Sequence, residues 1–128
     1  MTTTTTLARA ALALAVLLTL GAGAARVEGD ATRGKSIYAR YAGCHAIARN
    51  RVGPRHAGLF GRAAGSLEDY AYSGAMKDWG LVWDAATLDR FLADPRGVVP
   101  GTKMGFAGIK DAAERADLIA YLAEATAP

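Results

Sequence analysis

The sequence predicts an all-α domain of three main helices joined by long loops. Three segments carry apolar residues at helical spacing, and each of them follows an aspartate that can cap a helix. No segment alternates apolar and polar residues over enough positions to predict a strand. The long loops cover about 46–66 and 96–110 and are rich in glycine and proline. Loops this long in a small domain are usually functional or wrapped around something.

The first helix is predicted over 31–41, where Asp30 provides the N-cap. Its apolar face consists of Ile37, Tyr38 and Tyr41. Gly34 lies inside this helix and costs about 1 kcal/mol relative to alanine. A glycine at such a position indicates a close crossing with another helix.

The second and third helices are predicted to begin after Asp84 and Asp111. Pro95 ends the second helix because proline has no backbone N–H to donate. The apolar stripe of this helix consists of Leu88, Phe91 and Leu92. Asp111 and Glu114 have the spacing of a capping box. The stripe of the third helix consists of Leu118, Ile119, Tyr121 and Leu122.

Residues 1–24 have the pattern of a signal peptide, whose cleavage leaves a domain of residues 25–128. Arg9 is the only charged side chain, an apolar run covers 10–20, and small residues at 22–24 match a cleavage site. The alternative is an uncleaved membrane anchor, but a span needs roughly 20 apolar residues and this run is shorter. We therefore expect the protein to be exported.

The exported domain is small and has a single cysteine, so a metal, cofactor or partner is expected to stabilise it in place of disulfides. Residues 26–62 carry 8 basic and 2 acidic side chains, whereas residues 63–128 carry 6 and 10. This asymmetry indicates docking to acidic partners, with an ordinary solvated surface as the alternative. The sequence lacks basic stripes with interleaved aromatic residues, which argues against nucleic-acid binding.

The single cysteine, Cys44, is followed directly by His45. An unpaired cysteine in an oxidising compartment tends to form unwanted disulfides, so another group is expected to consume the thiol. Further along stand the short motifs Val52-Gly53-Pro54, Gly61-Arg62, Tyr72, Trp83, Pro100-Gly101-Thr102-Lys103-Met104 and Phe106. In order and spacing they closely resemble those of bacterial class I cytochromes c of the mitochondrial type, over about residues 29–125. The resemblance implies the small class I cytochrome c fold, wrapped around one haem.

The resemblance implies that His45 and Met104 are the two axial ligands of the haem iron. In the family a backbone carbonyl holds the second ring nitrogen of the histidine, and the matching residue here is Pro54. A thioether ligand stabilises ferrous iron and raises the reduction potential. The alternatives are a capping or core histidine and a core methionine, the role expected of Met76. The adjoining cysteine favours a ligand role for His45. The loop framed by proline and glycine favours a ligand role for Met104.

Other residues are expected from the resemblance to hold the porphyrin. Those that would hydrogen-bond a propionate are Arg62, Tyr72 and Trp83, and those that would line the macrocycle are Phe91, Leu92, Phe106 and Leu118. A surface position for the arginine and plain core positions for the aromatic residues are the alternatives. His56 is predicted to lie in a surface loop, because the family places its histidine one position later, at Ala57.

The chain departs from the family at Tyr41. The family's attachment motif is Cys-x-x-Cys-His, and Tyr41 stands where the first cysteine belongs. One haem c is therefore expected to be attached covalently through Cys44 only. The departure leaves the axial pair unchanged.

These observations predict a periplasmic electron carrier in which the haem iron cycles between ferrous and ferric states. Because protein ligands fill both axial positions, enzyme activity is not expected. One alternative is a haem protein in which Met104 dissociates, so that the iron acts as a peroxidase or small-ligand site. Another is a haem-free binding module.

The family implies redox partners of the respiratory chain or of photosynthesis. They are a membrane cytochrome bc complex, a terminal oxidase, a reaction centre or a periplasmic dehydrogenase. A monomer is expected to dock on such partners transiently at the membrane surface. The candidate docking side chains are Lys35, Arg40, Lys77, Lys103 and Lys110.

Overall fold

Five helices and no strand are present in the computed structural model, which describes residues 28–128. The helices are α1 (Ala31–Ala39), α2 (Gly74–Asp78), α3 (Ala85–Ala93), α4 (Pro95–Val98) and α5 (Ala112–Ala125). A single antiparallel bridge joins Ala63 to Val82. The prediction of an all-α domain is therefore confirmed. The segment predicted to be a signal peptide lies outside the described residues.

The three predicted helix starts are confirmed, because each aspartate accepts backbone N–H groups of the first turn. Asp30 does so at α1, Asp84 at α3 and Asp111 at α5. The reciprocal capping box lies at α3 rather than at α5. There Thr87 N–H donates to Asp84 at 2.7 Å, and Asp84 N–H donates to the Thr87 hydroxyl at 2.8 Å.

Two features of the helices differ from the prediction. The first helix ends at Ala39, and turns continue the chain to residue 44. Pro95 does end α3, but it also opens α4, whose N-cap Asp94 accepts from Gly97 N–H at 3.1 Å. Neither α2 nor α4 was predicted, because helices of 5 and 4 residues are too short to show a periodic pattern.

Helices α1 and α5 cross so closely that glycine is required at the contact. A Cβ atom on Gly34 would lie 2.0 Å from the carbonyl oxygen of Asp117, and one on Gly29 would lie 1.9 Å from that of Ala116. Both neighbours are backbone atoms of α5, so neither can turn aside. The close crossing predicted from Gly34 is confirmed.

The carboxylate of Asp117 ties the start of α1 to α5. It accepts from Asp30 N–H at 2.6 Å and from Arg33 Nε at 2.8 Å. These bonds favour the charged carboxylate, and the hydrogen bond from Arg33 does most to lower the pKa of Asp117. The ion pair of Arg33 with Asp117 joins residues far apart in the chain. It is expected to stabilise the α1–α5 crossing most when the carboxylate is ionised.

The hydrophobic core lies where α1, α3 and α5 meet. The predicted apolar stripes contribute to it, with Leu88, Phe91, Leu92, Leu118 and Leu122 buried. Loop residues complete the core, among them Leu59, Trp83, Val99 and Ile109. Across residues 28–128, none of the helices combines the length and the apolar character needed to cross a membrane.

The lowered pKa of Asp117 predicts a pH-dependent stability. Replacing Asp117→Asn should lower the free energy of unfolding above about pH 5, where the native carboxylate is charged. The deficit should shrink as the pH falls through the depressed native pKa, because the wild type then also loses the charge. Urea unfolding between about pH 2 and 7 measures the difference. The exposed Glu124→Gln on the same helix is the control, and a deficit that does not change with pH would contradict the prediction.

Candidate functional site

The loops and helices surround a cavity of about 490 Å³, a size typical of small-molecule sites. Its wall is mainly apolar. All the residues that the sequence singled out for a site line it: Cys44, His45, Pro54, Arg62, Tyr72, Trp83, Phe91, Leu92, Met104, Phe106 and Leu118. The fold therefore brings together side chains from both long loops, α3 and α5.

The turns after α1 present Cys44 and His45 to this cavity. The backbone N–H groups of both residues donate to the carbonyl oxygen of Tyr41, each at 3.0 Å. The carbonyl of Cys44 accepts from Gly53 N–H at 2.7 Å, which draws the following loop back over the pair. Cys44 is an exposed free thiol at the rim.

The ring of His45 is fixed by its surroundings in a form that can bind a metal. Its Nδ1 lies 3.1 Å from the carbonyl oxygen of Pro54, which can only accept, so Nδ1 carries the proton and Nε2 keeps a free lone pair. Burial lowers the pKa of His45 and favours the neutral imidazole. A Cβ on Gly53 would lie 2.1 Å from Cε1 of this ring, so glycine leaves the space that the ring fills.

The prediction that His56 lies in a surface loop is wrong. His56 lines the cavity, and its ring stacks on that of His45 with centroids 4.4 Å apart and an angle of 17° between planes. The backbone causes the inward turn. His56 N–H donates to the carbonyl of Ala46 at 3.1 Å, and Ala57 N–H donates to that of Ile47 at 2.8 Å. Burial lowers the pKa of His56 to about 3.

Met104 reaches the cavity from the second long loop. A turn precedes it, in which Thr102 N–H donates to the carbonyl of Val99 at 3.0 Å. Gly101 adopts a φ of 91° in this turn, a conformation that favours glycine. Met104 N–H donates to the Thr102 hydroxyl at 3.3 Å, and the side chain is half-buried against the core. The same cavity thus holds an imidazole and a thioether.

Arg62 places a cation with a spare N–H in the wall. Its Nη1 donates to the carbonyl of Ala57 and its Nη2 to that of Arg55, both at 3.0 Å. Its Nε is buried and has no hydrogen-bond partner among the described residues. Burial lowers the pKa of Arg62 and raises that of Tyr72, which also lines the cavity and stays protonated. A half-buried cation with an unused donor suits an anionic group such as a carboxylate.

Aromatic and aliphatic side chains form the remaining wall. Trp83 packs edge-on against Phe91 with centroids 5.1 Å apart, and Phe106 meets Tyr41 in the same way at 5.1 Å. The sequence did not indicate that Tyr38, His56 and Leu59 also line the cavity. Met76 is buried as predicted but lines the cavity as well. No local pattern marks these residues, because long-range loop contacts direct them inward.

The donor set fits a haem. An apolar cavity accepts a flat macrocycle, the imidazole and thioether match axial ligands of haem iron, and the unpaired N–H of Arg62 suits a carboxylate of the same group. The thiol of Cys44 at the rim is available for covalent attachment. Fold and cavity together therefore define a small all-α protein of the haem-binding class.

Comparisons with known proteins find similar chains among the cytochromes c. The chain is 45% identical over 103 residues to a cytochrome c2 of Rhodomicrobium vannielii, covering 78% of this chain and 82% of the relative. It is 46% identical over 97 residues to a cytochrome c of Euglena viridis, covering 73% and 95%. The solved structure of cytochrome cH from Methylobacterium extorquens matches with a TM-score of 0.73 and 46% identity, over 75% of this chain and 99% of that one.

The chain belongs to the cytochrome c family, and its fold is that of a class I cytochrome c. No family model matches it. The fold prediction made from the sequence motifs is confirmed.

Proposed function

We propose that this protein is a periplasmic electron carrier with one haem c, whose iron is ligated by His45 and Met104 and cycles between ferrous and ferric states. The observation that carries the proposal is the presence of both side chains in the one apolar cavity. The haem iron supplies the one-electron chemistry. The protein supplies the ligands, excludes water and tunes the potential.

The two ligands play different parts in this proposal. The hydrogen bond from Nδ1 of His45 to the carbonyl of Pro54 orients the imidazole and increases its basicity. The thioether of Met104 favours ferrous iron and raises the potential. With both axial positions filled by the chain, no position is open to a substrate, and we assign electron transfer rather than catalysis.

The polar wall of the cavity would hold the propionates. The unpaired Nε of Arg62 is the donor best suited to a carboxylate, and the protonated Tyr72 is a second. Trp83 is buried in the same wall and would add its ring N–H. Satisfying buried donors with a buried carboxylate offsets the desolvation of both.

Covalent attachment is proposed through Cys44 alone. The residue at the position of a first attachment cysteine is Tyr41, which lines the cavity and packs edge-on against Phe106. Burial raises the pKa of Tyr41, so its phenol stays protonated. Tyr41 therefore offers packing but no second thioether.

Docking to a redox partner is proposed on five basic side chains, of which Lys103 lines the cavity. Lys35 and Lys77 are exposed. The others have partners within the chain: Arg40 pairs with Glu114, and Lys103 and Lys110 donate to backbone carbonyls. Membrane cytochrome bc complexes, terminal oxidases, reaction centres and periplasmic dehydrogenases are the partner classes that the family implies.

Exchanging a methionine for leucine tests the axial ligand, since leucine keeps the volume and removes the sulfur. Met104→Leu should open the sixth position and lower the reduction potential by on the order of 100 mV, because axial ligands set haem potentials over about 0.8 V. Absorption spectra and potentiometry measure both. The matched control Met76→Leu should change neither. If the spectrum and the potential of Met104→Leu equal those of the wild type, Met104 is not a ligand. If the wild type is as active a peroxidase as this variant, the alternative of a dissociating Met104 is favoured.

Haem extraction tests the single attachment. The denatured wild type should keep its haem in acidic solvent, and its pyridine haemochrome band should fall between the two-thioether and free-haem positions. Cys44→Ser should release the haem. Tyr41→Cys should give the two-thioether band and a higher melting temperature. Intact haem extracted from the wild type, with mass spectrometry showing a free Cys44 thiol, would refute the attachment.

Ionic strength tests the docking surface. Electron transfer to an acidic partner should slow as salt is added, because the Debye length is about 10 Å at 0.1 M. Stopped-flow rates should depend less steeply on salt for Lys35→Gln and Lys77→Gln. Arg90→Gln removes the same charge from an exposed site outside the proposed surface and serves as the control. If the rate falls equally steeply with salt in the wild type and in the three variants, these lysines do not form the docking surface.

A further inference from the structure

The proposed function leaves a half-buried polar pair of the cavity unused, Tyr38 and His56. The Tyr38 hydroxyl lies 3.0 Å from Nδ1 of His56, and the ring of His56 lies almost parallel to that of His45. The burial of His56 would be costly without a partner for its nitrogen. The hydrogen bond and the ring stack therefore fix the position of His56 in the cavity wall.

Both members of the pair are neutral at ordinary pH. The ordinary pKa of a phenol is about 10 and that of an imidazole about 6.5, so at about pH 7.5 the phenol is protonated and most of the imidazole is uncharged. The phenol therefore keeps its proton, and the imidazole carries no charge. A neutral aromatic ring stacked on another ring presents its electron-rich face to it.

We propose that His56, anchored by Tyr38, is a positioning residue that holds the ring of His45 in its ligating orientation and stabilises the oxidised haem through its stacked face. The inference rests on the proposed function, in which His45 binds the haem iron. It concerns the support of that ligand rather than the ligand itself.

The other contacts of His45 leave one motion of its ring free. The carbonyl of Pro54 holds one nitrogen at the ring edge, and Gly53 packs against Cε1 and the neighbouring nitrogens. A ring held at its edge can still rock about that hydrogen bond. The stacked ring of His56 covers its face and blocks this movement.

Tyr38 links this support to the helix crossing. It belongs to α1, and its ring packs against that of Tyr121 on α5 with centroids 5.3 Å apart. The crossing of α1 and α5 is a close helix contact, as Gly34 shows. His56 is thus hydrogen-bonded to a residue at this crossing, although it lies in a loop.

The stacked ring of His56 also sets the direction in which the reduction potential should change. Oxidation of the iron makes a ligating imidazole more positive, and the partly negative face of a stacked ring attracts positive charge. An aliphatic side chain offers no such face and is less polar. His56→Leu should therefore raise the reduction potential, because the ferric state loses more stabilisation than the ferrous state.

Three variants of the haem-loaded protein test the inference. His56→Leu removes the stacked ring, His56→Phe keeps a ring without its nitrogen, and Tyr38→Phe removes only the hydroxyl. The readouts are the reduction potential, the melting temperature and the paramagnetically shifted NMR resonances of the ferric protein, which report the orientation of the axial imidazole. Ile109→Val is the control, because it weakens the core at a buried residue that neither lines the cavity nor belongs to the α1–α5 crossing.

The expected results differ between the variants. His56→Leu should raise the reduction potential and change the pattern of shifted resonances. His56→Phe should have a potential closer to that of the wild type. Tyr38→Phe should change the resonance pattern, since the anchor is lost. The control should lower only the melting temperature.

Two results would overturn the inference. If His56→Leu and Tyr38→Phe lower the melting temperature while the potential and the resonances stay as in wild type, His56 is structural only. Tyr38→Phe keeps this outcome observable even where His56→Leu does not fold. If the wild type itself lacks the spectrum of a histidine- and methionine-ligated haem, the proposed function fails and the inference falls with it.

Discussion

The site depends first on the hydrogen bond between Nδ1 of His45 and the carbonyl of Pro54. An imidazole can bind a metal only through a nitrogen without a proton, and this bond assigns the proton to the other nitrogen. Burial favours the neutral ring as well, since it lowers the pKa of His45. Gly53 follows from the same requirement, because a Cβ there would occupy the space of the ring. The loop after Cys44 is thus shaped around one side chain.

The rest of the fold supplies the support that this loop lacks. Helices α1 and α5 meet at glycine and are joined by the ion pair of Asp117 with Arg33. Residues that the three main helices place in the core also line the cavity, including Leu88, Phe91, Leu118 and Leu122. Core and binding site are therefore largely the same side chains. A haem bound in this cavity stabilises the folded state by mass action, which suits a small chain with one cysteine.

The sequence was informative wherever the cause of the structure is local. An aspartate followed by an apolar stripe is sufficient to begin a helix, so α1, α3 and α5 were predictable. The motifs of the long loops identified the side chains that line the cavity, although their roles remain proposals. The short helices α2 and α4 were missed because they span about one turn each. His56 was misplaced because backbone bonds to Ala46 and Ile47, formed only in the folded loop, turn it inward.

Tyr41 shows how the fold can accommodate the loss of an attachment point. In the proposed arrangement one thioether at Cys44 already makes haem binding intramolecular, with an effective concentration of order mM, so a second bond would add mainly orientation. Noncovalent contacts can also restrict orientation. Tyr41 contributes an edge-on contact with Phe106, worth about 0.5–1.5 kcal/mol for such aromatic pairs beyond the burial of area. On the other side of the cavity, Pro54, Gly53 and His56 each contact the ring of His45. The orientation that a second thioether would fix is therefore assigned to packing, which depends on the α1–α5 crossing through Tyr38.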